Sequence, residues 1–329
     1  MNHKTEIPVL TVDDVCVTFP LRYSLWERLH GYPRRAVQAL NGVHLTLRPG
    51  ETLGIVGESG CGKSTLARAL VGLNGTSHGE IHFHGQNIAS LRGRARRDFN
   101  RRVQMIFQDP YGSLNPRMTV GQILTEALTV HHICPPVEIP SRIRSLLELV
   151  RLPADAVNKL PKAFSGGQRQ RIGISRALAV EPEVIVADEL VSALDVSVQA
   201  QVVNLLLDLQ ARLKLSVIFV AHDLRLVRHI SHRVAVMYLG EVVEIAPAVS
   251  LYQQPLHPYT QALLHAAPGF DTTLRSRPVS LKGELPSPLS PPSGCRFHTR
   301  CPQATERCRQ EHPVLSPRQG ERAVACHYA

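Results

Sequence analysis

The chain has 329 residues, of which 43% are hydrophobic and 19% are charged, and this composition excludes a protein that is disordered throughout. The sequence has no charge-free apolar run of about 18 residues, and its first residues lack the apolar stretch of a secretory signal. We therefore expect a cytosolic protein without a transmembrane helix. A net charge of +10 favours a polyanionic partner, which charge alone leaves open among a nucleotide, nucleic acid and an anionic membrane surface.

Apolar segments along the chain predict strands that alternate with helices. Several are continuous apolar runs, which are typical of strands buried on both faces of a parallel sheet. The predicted strands are residues 9–19, 37–47, 52–56, 80–84, 183–187, 216–221 and 233–239, and the main predicted helices are residues 120–130, 141–150, 198–213 and 224–230. This alternation favours an α/β fold with a parallel sheet. Residues 268–294 are rich in proline, serine and glycine and predict a mostly irregular link to a cysteine-bearing tail.

A glycine-rich loop between the strand at 52–56 and a helical pattern matches the phosphate-binding pattern G-x-x-x-x-G-K-[ST]. Its glycines let backbone N–H groups surround phosphate oxygens, and the helix N-terminus favours negative charge there. Lys63 is expected to neutralise the β- and γ-phosphates, and the Ser64 hydroxyl to bind Mg²⁺. The Cys61 thiol occupies a free position of the pattern and has no expected role. The predicted nucleotide-binding residues of this loop are Gly57, Glu58, Ser59, Gly60, Cys61, Gly62, Lys63, Ser64 and Thr65.

Two carboxylates end the apolar strand at 183–187. A carboxylate at the carboxyl end of a parallel strand points into the ligand crevice, so Asp188 is expected to hold Mg²⁺ and Glu189 to orient and polarise the attacking water. The alternative interpretation is an acid pair that caps a helix. The phosphate-binding loop upstream makes that alternative the weaker one.

Residues 164–171, with the sequence FSGGQRQR, resemble the signature sequence of ABC ATPases. Other motifs of that family are present in the usual order along the chain. Gln108 resembles the Q-loop glutamine, residues 192–195 resemble the D-loop, and His222 resembles the switch histidine. Phe19 stands where the family places an aromatic ring that stacks on adenine. The resemblance implies catalytic roles for Glu189, His222 and Gln108. It implies nucleotide contacts for Phe19, Ser165, Gly166, Gly167, Gln168 and Asp195, and Mg²⁺ contacts for Ser64, Gln108 and Asp188.

The resemblance narrows to ATP-binding subunits of dipeptide and oligopeptide permeases, most like the F-type subunit. The segments that carry it are residues 107–116, 238–240, 257–264 and 283–288 together with the cysteine-rich end, so that it covers about residues 8–328. One departure is Leu190, where the family usually has proline after the two carboxylates. Leucine restores a backbone N–H and frees φ, which puts the geometry of Glu189 in question.

The fold that the resemblance implies is an ABC-type P-loop NTPase. It has a RecA-like parallel-sheet core, an antiparallel β subdomain and an α-helical signature subdomain at about residues 110–180. The expected domains are an ABC ATPase domain over residues 8–265 and a small C-terminal extension with a four-cysteine metal site over residues 266–329.

The implied function is ATP hydrolysis that powers peptide uptake across the cytoplasmic membrane, through nucleotide-driven dimerisation of two ATPase subunits. The expected partners are a second, paralogous ATPase subunit, two transmembrane permease subunits that dock near residues 108–115, and an extracytoplasmic substrate-binding protein. The expected location is peripheral, at the cytoplasmic face of the inner membrane. The alternatives are an importer ATPase for other cargo, such as nickel, and a soluble ABC ATPase that acts on nucleic acid or ribosomes. No nucleic acid is expected, because the arginine-rich residues 92–102 favour a solvated face or contact with lipid head groups.

Four of the seven cysteines lie in the last 35 residues: Cys295, Cys301, Cys308 and Cys326. In a reducing compartment such a cluster favours metal binding over disulfides. Its spacing matches neither the usual zinc pattern nor the ferredoxin run, so spacing alone leaves the metal undecided. The resemblance favours a [4Fe–4S] cluster with a structural role, and the alternatives are zinc and four unligated thiols.

Overall fold

Two β-sheets organise the residues that the computed structural model describes, which are 7–21, 35–192, 194–266 and 283–329. In chain order the described strands are β1 (Leu10–Pro20), β2 (Ala36–Leu47), β3 (Thr52–Val56), β4 (His78–Phe83), β5 (Gln86–Asn87), β6 (Val103–Ile106), β7 (Val184–Asp188), β8 (Ser216–Val220), β9 (Arg233–Tyr238), β10 (Glu241–Pro247), β11 (Ser316–Arg318) and β12 (Arg322–Val324). The seven strands predicted from the sequence are all present, with ends that differ by one or two residues.

The smaller sheet is antiparallel, with the order β2-β1-β4-β5. Buried and exposed residues are mixed along β1, because one face of the sheet packs on the core and the other meets solvent. The ring of Phe19 stands near the end of β1, opposite Val37 of β2.

The larger sheet has the order β11-β12-β10-β9-β3-β8-β7-β6. From β9 to β6 its neighbouring strands are parallel. Strands β3, β7 and β8 are buried along their whole length, as their continuous apolar sequences predict. Because β3, β8 and β7 are adjacent and parallel, the loops that follow them meet at one edge of the sheet.

The described helices are α1 (Lys63–Leu70), α2 (Gly93–Arg102), α3 (Pro110–Ser113), α4 (Val120–Val130), α5 (Ile139–Leu149), α6 (Gly166–Ala179), α7 (Val196–Leu213), α8 (Leu224–Ile230), α9 (Ala248–Gln253), α10 (Pro258–Ala266) and α11 (Glu306–Gln310). Helices α3 to α6 form the predicted helical segment, in which Leu124, Leu147 and Ile172 are buried in one apolar cluster. The parallel core, the antiparallel sheet and the helical segment therefore match the predicted architecture. Among the described helices, none combines the length and apolar character needed to cross a membrane.

The C-terminal lobe, which we define as residues 283–329, continues the larger sheet. Strand β12 pairs with β10, where Glu244 lies opposite Val324. The ring of Phe297 is buried against those of Tyr238 and Tyr259, with ring centroids 5.2 and 5.4 Å away. Backbone pairing and aromatic packing therefore join to the core this lobe, which lies in the C-terminal extension that the sequence predicts over residues 266–329. Residues 267–282, beside the predicted domain boundary, lie outside the described residues.

Candidate functional site

The phosphate-binding loop joins β3 to α1 and packs tightly on neighbouring backbone. A Cβ atom on Gly57, whose φ is +155°, would lie 2.2 Å from the Met237 carbonyl oxygen. A Cβ atom on Gly62, whose φ is +106°, would lie 2.5 Å from the Ala39 carbonyl oxygen. Both contacts are too short for any side chain, so glycine is required at both positions. The loop is thus held between β2 and β9 in one conformation.

Lys63 begins α1 and folds back over this loop. Its ammonium group donates to the carbonyl oxygens of Gly57, at 2.8 Å, and Glu58, at 3.0 Å. The residue is only 4% exposed, so its charge sits in the concave side of the loop, where the N-terminus of α1 adds to the positive potential. Ser59 and Gly60 are exposed at the mouth of the loop, and Ser64 and Thr65 are half-buried beside it.

Ser64 and Asp188 meet where the sequence predicts an Mg²⁺ site. The Ser64 hydroxyl donates to Oδ1 of Asp188 at 3.0 Å. Asp188 is 3% exposed, and burial raises the pKa of its carboxyl group, with the nearby Glu189 adding to the rise and the Ser64 hydrogen bond opposing it. A buried carboxylate beside a hydroxyl fits a hard divalent cation, since the cation would stabilise the charged form and accept both oxygens.

Glu189 and Gln108 also meet at this edge. The Gln108 side-chain amide donates to Oε2 of Glu189 at 2.8 Å. Glu189 has a φ of +45°, a conformation that non-glycine residues rarely adopt. Its backbone is held by hydrogen bonds to Val220, at 2.9 Å, and from Ser192, at 3.1 Å. The constrained backbone aims the carboxylate at the edge of the sheet where β3 and β7 end.

His222 lies exposed in the loop after β8, one residue before Asp223, whose carboxylate caps α8 by accepting from the Arg225 backbone N–H at 2.8 Å. The predicted start of α8, two residues after this histidine, is confirmed. Phe19 is 42% exposed, so its ring has a free face for stacking. Five predicted site elements therefore lie at or just beyond the carboxyl ends of parallel strands, at one edge of the sheet: the phosphate-binding loop, Asp188, Glu189, Gln108 and His222.

The signature turn has its own set of contacts, at the start of α6. Ser165 and Gln168 form a reciprocal cap at the start of α6, in which the Ser165 N–H donates to the Gln168 side chain at 3.0 Å. Gly166 and Gly167 pack against Leu194 and Val198, beside Asp195 at the start of α7. Among the described residues, no hydrogen bond joins residues 57–65 to residues 165–168. Hydrogen bonds in the described part of the chain thus link Ser64 to Asp188 and Gln108 to Glu189, and none links the signature residues to the phosphate-binding loop.

The four C-terminal cysteines are all free thiols in the C-terminal lobe. The pKa of the Cys295 thiol is raised to about 11, mainly by burial and in smaller part by the thiols of Cys308, Cys301 and Cys326. In the described part of the chain, however, no group of three or more His, Cys, Asp or Glu side chains is arranged to hold a metal ion. Among the described residues the structure therefore shows no ligand set for the predicted [4Fe–4S] cluster or for zinc, although the other three thiols are close enough to affect the pKa of Cys295.

Two contacts to the phosphate-binding loop are absent from the sequence-based prediction. The Tyr259 hydroxyl of α10 accepts a hydrogen bond from the Glu58 backbone N–H at 3.0 Å. The Arg300 guanidinium of the C-terminal lobe pairs with the Glu58 carboxylate at 3.0 Å. Both partners are more than 200 residues away along the chain. The segment 257–264, noted only for its resemblance, is a signal for Tyr259, and the sequence-based prediction contains none for Arg300.

Comparisons with known proteins agree with this geometry. Residues 40–192 match the family model described as ABC transporter, and residues 243–308 match the one described as Oligopeptide/dipeptide transporter, C-terminal region. The oligopeptide transport ATP-binding protein AppF of Bacillus subtilis is 47% identical over 330 residues, covering 99% of each chain. The oligopeptide transport ATP-binding protein OppF of Salmonella typhimurium is 48% identical over 315 residues, covering 93% of this chain and 92% of that protein.

Solved structures show the same fold. A dimeric post-hydrolysis state of the ATP-binding cassette MJ0796, bound to ADP and Pi, superposes with a TM-score of 0.61 at 26% identity. The match covers 73% of this chain and 98% of that one. About a quarter of this chain therefore has no counterpart in the MJ0796 structure.

The packing of the phosphate-binding loop generates a first prediction. Replacing Gly57 by Ala should displace the loop, because the added methyl group cannot share space with the Met237 carbonyl. We expect Mg²⁺–nucleoside triphosphate binding to weaken by about tenfold or more, with a stability loss of about 1–3 kcal/mol. Titration with a fluorescent triphosphate analogue and thermal unfolding measure the two effects.

Gly75→Ala is the matched control for this substitution, because a Cβ atom at Gly75 meets nothing within 4 Å. It should leave both quantities unchanged. Equal triphosphate affinities for the Gly57→Ala and Gly75→Ala variants would contradict the tight packing of the loop.

Proposed function

This chain belongs to the ATP-binding proteins of the ABC transporter family, and on that premise we propose that it hydrolyses ATP to power the uptake of dipeptides or oligopeptides across the cytoplasmic membrane. The observation that carries the proposal is the meeting of Ser64 with Asp188 and of Gln108 with Glu189 at the edge where the phosphate-binding loop lies. The match of residues 243–308 to the peptide-transporter C-terminal region favours peptide cargo over nickel.

ATP binding uses the whole phosphate-binding loop. The backbone N–H groups of residues 57–65 and the Lys63 ammonium hold the phosphates, while the exposed ring of Phe19 stacks on adenine. Ser64 and Asp188, with Gln108 beside them, would hold Mg²⁺, which supplies charge neutralisation on the β- and γ-phosphates when it is bound. The existing hydrogen bond between Ser64 and Asp188 supports this assignment, since it keeps both oxygen ligands together.

Hydrolysis depends on positioning of the attacking water. Glu189 orients and polarises this water, and its backbone and carboxylate are both held, the carboxylate by Gln108. His222, on the adjacent loop, aligns the water from the other side, and Gln108 senses the γ-phosphate through its contact with Glu189. In phosphoryl transfer such positioning and charge neutralisation supply most of the rate enhancement.

A complete site needs two chains. The signature residues Ser165, Gly166, Gly167 and Gln168, with Asp195, make no hydrogen bond to the phosphate-binding loop of the same chain in the part that the structure describes. Ser165 caps the 14-residue helix α6, whose N-terminal N–H groups suit a γ-phosphate presented by a partner. The dimeric ADP-bound cassette with the same fold supports this arrangement. The partner we propose is a paralogous ATPase subunit.

The remaining partners follow from the function. Two transmembrane permease subunits would receive the motion of the dimer near residues 108–115, and an extracytoplasmic binding protein would deliver the peptide. The chain would then lie peripherally at the cytoplasmic face of the membrane. The alternative of a nucleic-acid partner is disfavoured, because Arg96 and Arg102 of the arginine-rich helix α2 already bind backbone carbonyls and Glu183.

The role of Glu189 can be tested by replacing it with Gln. ATP should still bind, turnover should fall by about 100-fold or more, and a closed dimer should accumulate, because the amide cannot polarise water while the phosphate contacts remain. Phosphate release and size-exclusion chromatography with MgATP measure these effects. Glu181→Gln, at an exposed carboxylate that pairs with Arg142, is the matched control. Unchanged turnover in the Glu189→Gln variant would show that Glu189 does not polarise the attacking water.

The two-chain site predicts that the ATPase rate per chain depends on association. The purified chain should hydrolyse ATP slowly at low concentration and faster when its ATPase partner and permease subunits are present. Ser165→Ala in this chain should then slow the site on the partner, since its hydroxyl contacts the phosphate across the interface. A full rate from the isolated monomer would contradict this proposal.

The four cysteines are the second part of the proposal: Cys295, Cys301, Cys308 and Cys326 would hold a [4Fe–4S] cluster, with zinc as the alternative. The nearness of the thiols supports it, since three of them each raise the pKa of Cys295. Their present arrangement does not form a ligand set among the described residues, so binding would require the thiols to draw together. No step of ATP hydrolysis is assigned to this group.

Metal analysis of protein purified without oxygen tests this part. We expect brown protein with visible absorbance and about four iron and four sulfide per chain. Cys308→Ser should abolish the absorbance, and Cys134→Ser, at a cysteine outside the lobe, should preserve it. Colourless protein that contains neither iron nor zinc would contradict metal binding and would show that the four thiols are unligated.

A further inference from the structure

Arg300 of the C-terminal lobe reaches the phosphate-binding loop from 242 residues away. One nitrogen of its guanidinium group donates to both carboxylate oxygens of Glu58, at 3.0 and 3.1 Å. The Arg300 side chain is only 6% exposed and that of Glu58 is 25% exposed. A charged pair so withdrawn from water interacts more strongly than one on an open surface.

The segment that carries Arg300 is anchored on both sides. The guanidinium of Arg300 lies over the ring of Tyr238, 5.8 Å from its centroid. Arg296 donates to the Leu239 carbonyl at 2.7 Å and pairs with Glu241 at 2.5 Å. Because these contacts are made to β9, to β10 and to the turn between them, Arg300 is fixed relative to the same sheet that positions the loop.

Glu58 is held at its backbone as well as at its carboxylate. Its N–H donates to the Tyr259 hydroxyl at 3.0 Å, and its carbonyl accepts from Lys63 at 3.0 Å. The side chain of Leu285, also in the C-terminal lobe, would touch a Cβ atom on Gly60 at 4.0 Å. The C-terminal lobe and α10 therefore form one wall of the phosphate-binding loop.

The negative charge of Glu58 lies close to the expected position of the phosphates, and Arg300 of the C-terminal lobe compensates for it. The loop must accept a triphosphate that carries roughly four negative charges, and Glu58 is the second residue of that loop. An unpaired carboxylate there would repel the ligand by an amount that is large in a partly desolvated site. The positive charge of Arg300 cancels that of Glu58 and leaves the charge of Lys63 available to the phosphates.

Given that the chain binds ATP as proposed above, we propose that Arg300 is a positioning residue for the nucleotide: it neutralises Glu58, and through this pair the C-terminal lobe sets the ATP affinity of the phosphate-binding loop. The part of the chain that carries the four cysteines thereby becomes a determinant of nucleotide binding. Its contribution is to binding of the phosphates rather than to the chemical step.

The experiment measures the dissociation constant of the full chain for Mg²⁺ and a non-hydrolysable ATP analogue by calorimetric titration. The variants are Arg300→Gln, Arg300→Lys, Glu58→Gln and the double variant Glu58→Gln/Arg300→Gln. Arg307→Gln is the matched control, because Arg307 lies on the same lobe and, within the part of the chain that the structure describes, pairs with the exposed carboxylate of Glu311. Thermal unfolding of each variant reports whether the lobe remains docked.

We expect Arg300→Gln to raise the dissociation constant about tenfold, while Arg300→Lys and Arg307→Gln stay within about twofold of the wild type. The double variant should recover most of the affinity, because removing the Glu58 charge removes the need for its partner. In the ATPase complex, Arg300→Gln should raise KM and leave kcat nearly unchanged.

Wild-type affinity in Arg300→Gln would overturn the inference. So would a double variant as weak as Arg300→Gln, because the loss would then come from undocking of the lobe and not from the Glu58 charge. A wild-type chain that fails to bind the analogue at all would instead contradict the proposed function.

Discussion

The structure depends on one constraint: a glycine-rich loop has to hold a polyanion in a fixed shape. Such a loop cannot stabilise itself, so its neighbours define it. Gly57 lies against the Met237 carbonyl and Gly62 against the Ala39 carbonyl, so β9 and β2 fix the conformation of the loop. The antiparallel sheet, the parallel sheet and the C-terminal lobe all meet at this loop, and each supplies a part of its wall.

The charges around the loop follow from the same constraint. Lys63 is buried and bound to loop carbonyls, Glu58 is paired with Arg300, and Asp188 is kept beside Ser64 in surroundings that raise its pKa. Each charged group near the phosphates thus has a partner before the nucleotide arrives. A preorganised site of this kind loses little free energy to rearrangement when the ligand binds.

Local sequence patterns were enough to predict the strands, the phosphate-binding loop and the carboxylates at the end of β7, because each of these depends on neighbours within a few residues. Gln108 and His222 were predicted only through the resemblance to ABC ATPases. Neither route found Tyr259 or Arg300, since their contact with Glu58 is set by chain topology across more than 200 residues. Local patterns also missed the pairing of β12 with β10, and for that reason treated the C-terminal lobe as a separate appendage.

Leu190 shows how a departure from the family pattern is absorbed. A proline at 190 would restrict residue 189 toward extended conformations, whereas Glu189 has a φ of +45°. Freed from that restriction, its backbone could have become variable. Instead Leu190 is fully buried and its carbonyl accepts a hydrogen bond from Gln170, while Glu189 itself is bound to Val220, Ser192 and Gln108. The hydrogen bonds of Val220, Ser192 and Gln170 therefore restrict the backbone of residues 189 and 190, as a proline ring would otherwise do. The hydrogen bond from Gln108 restricts the Glu189 carboxylate itself.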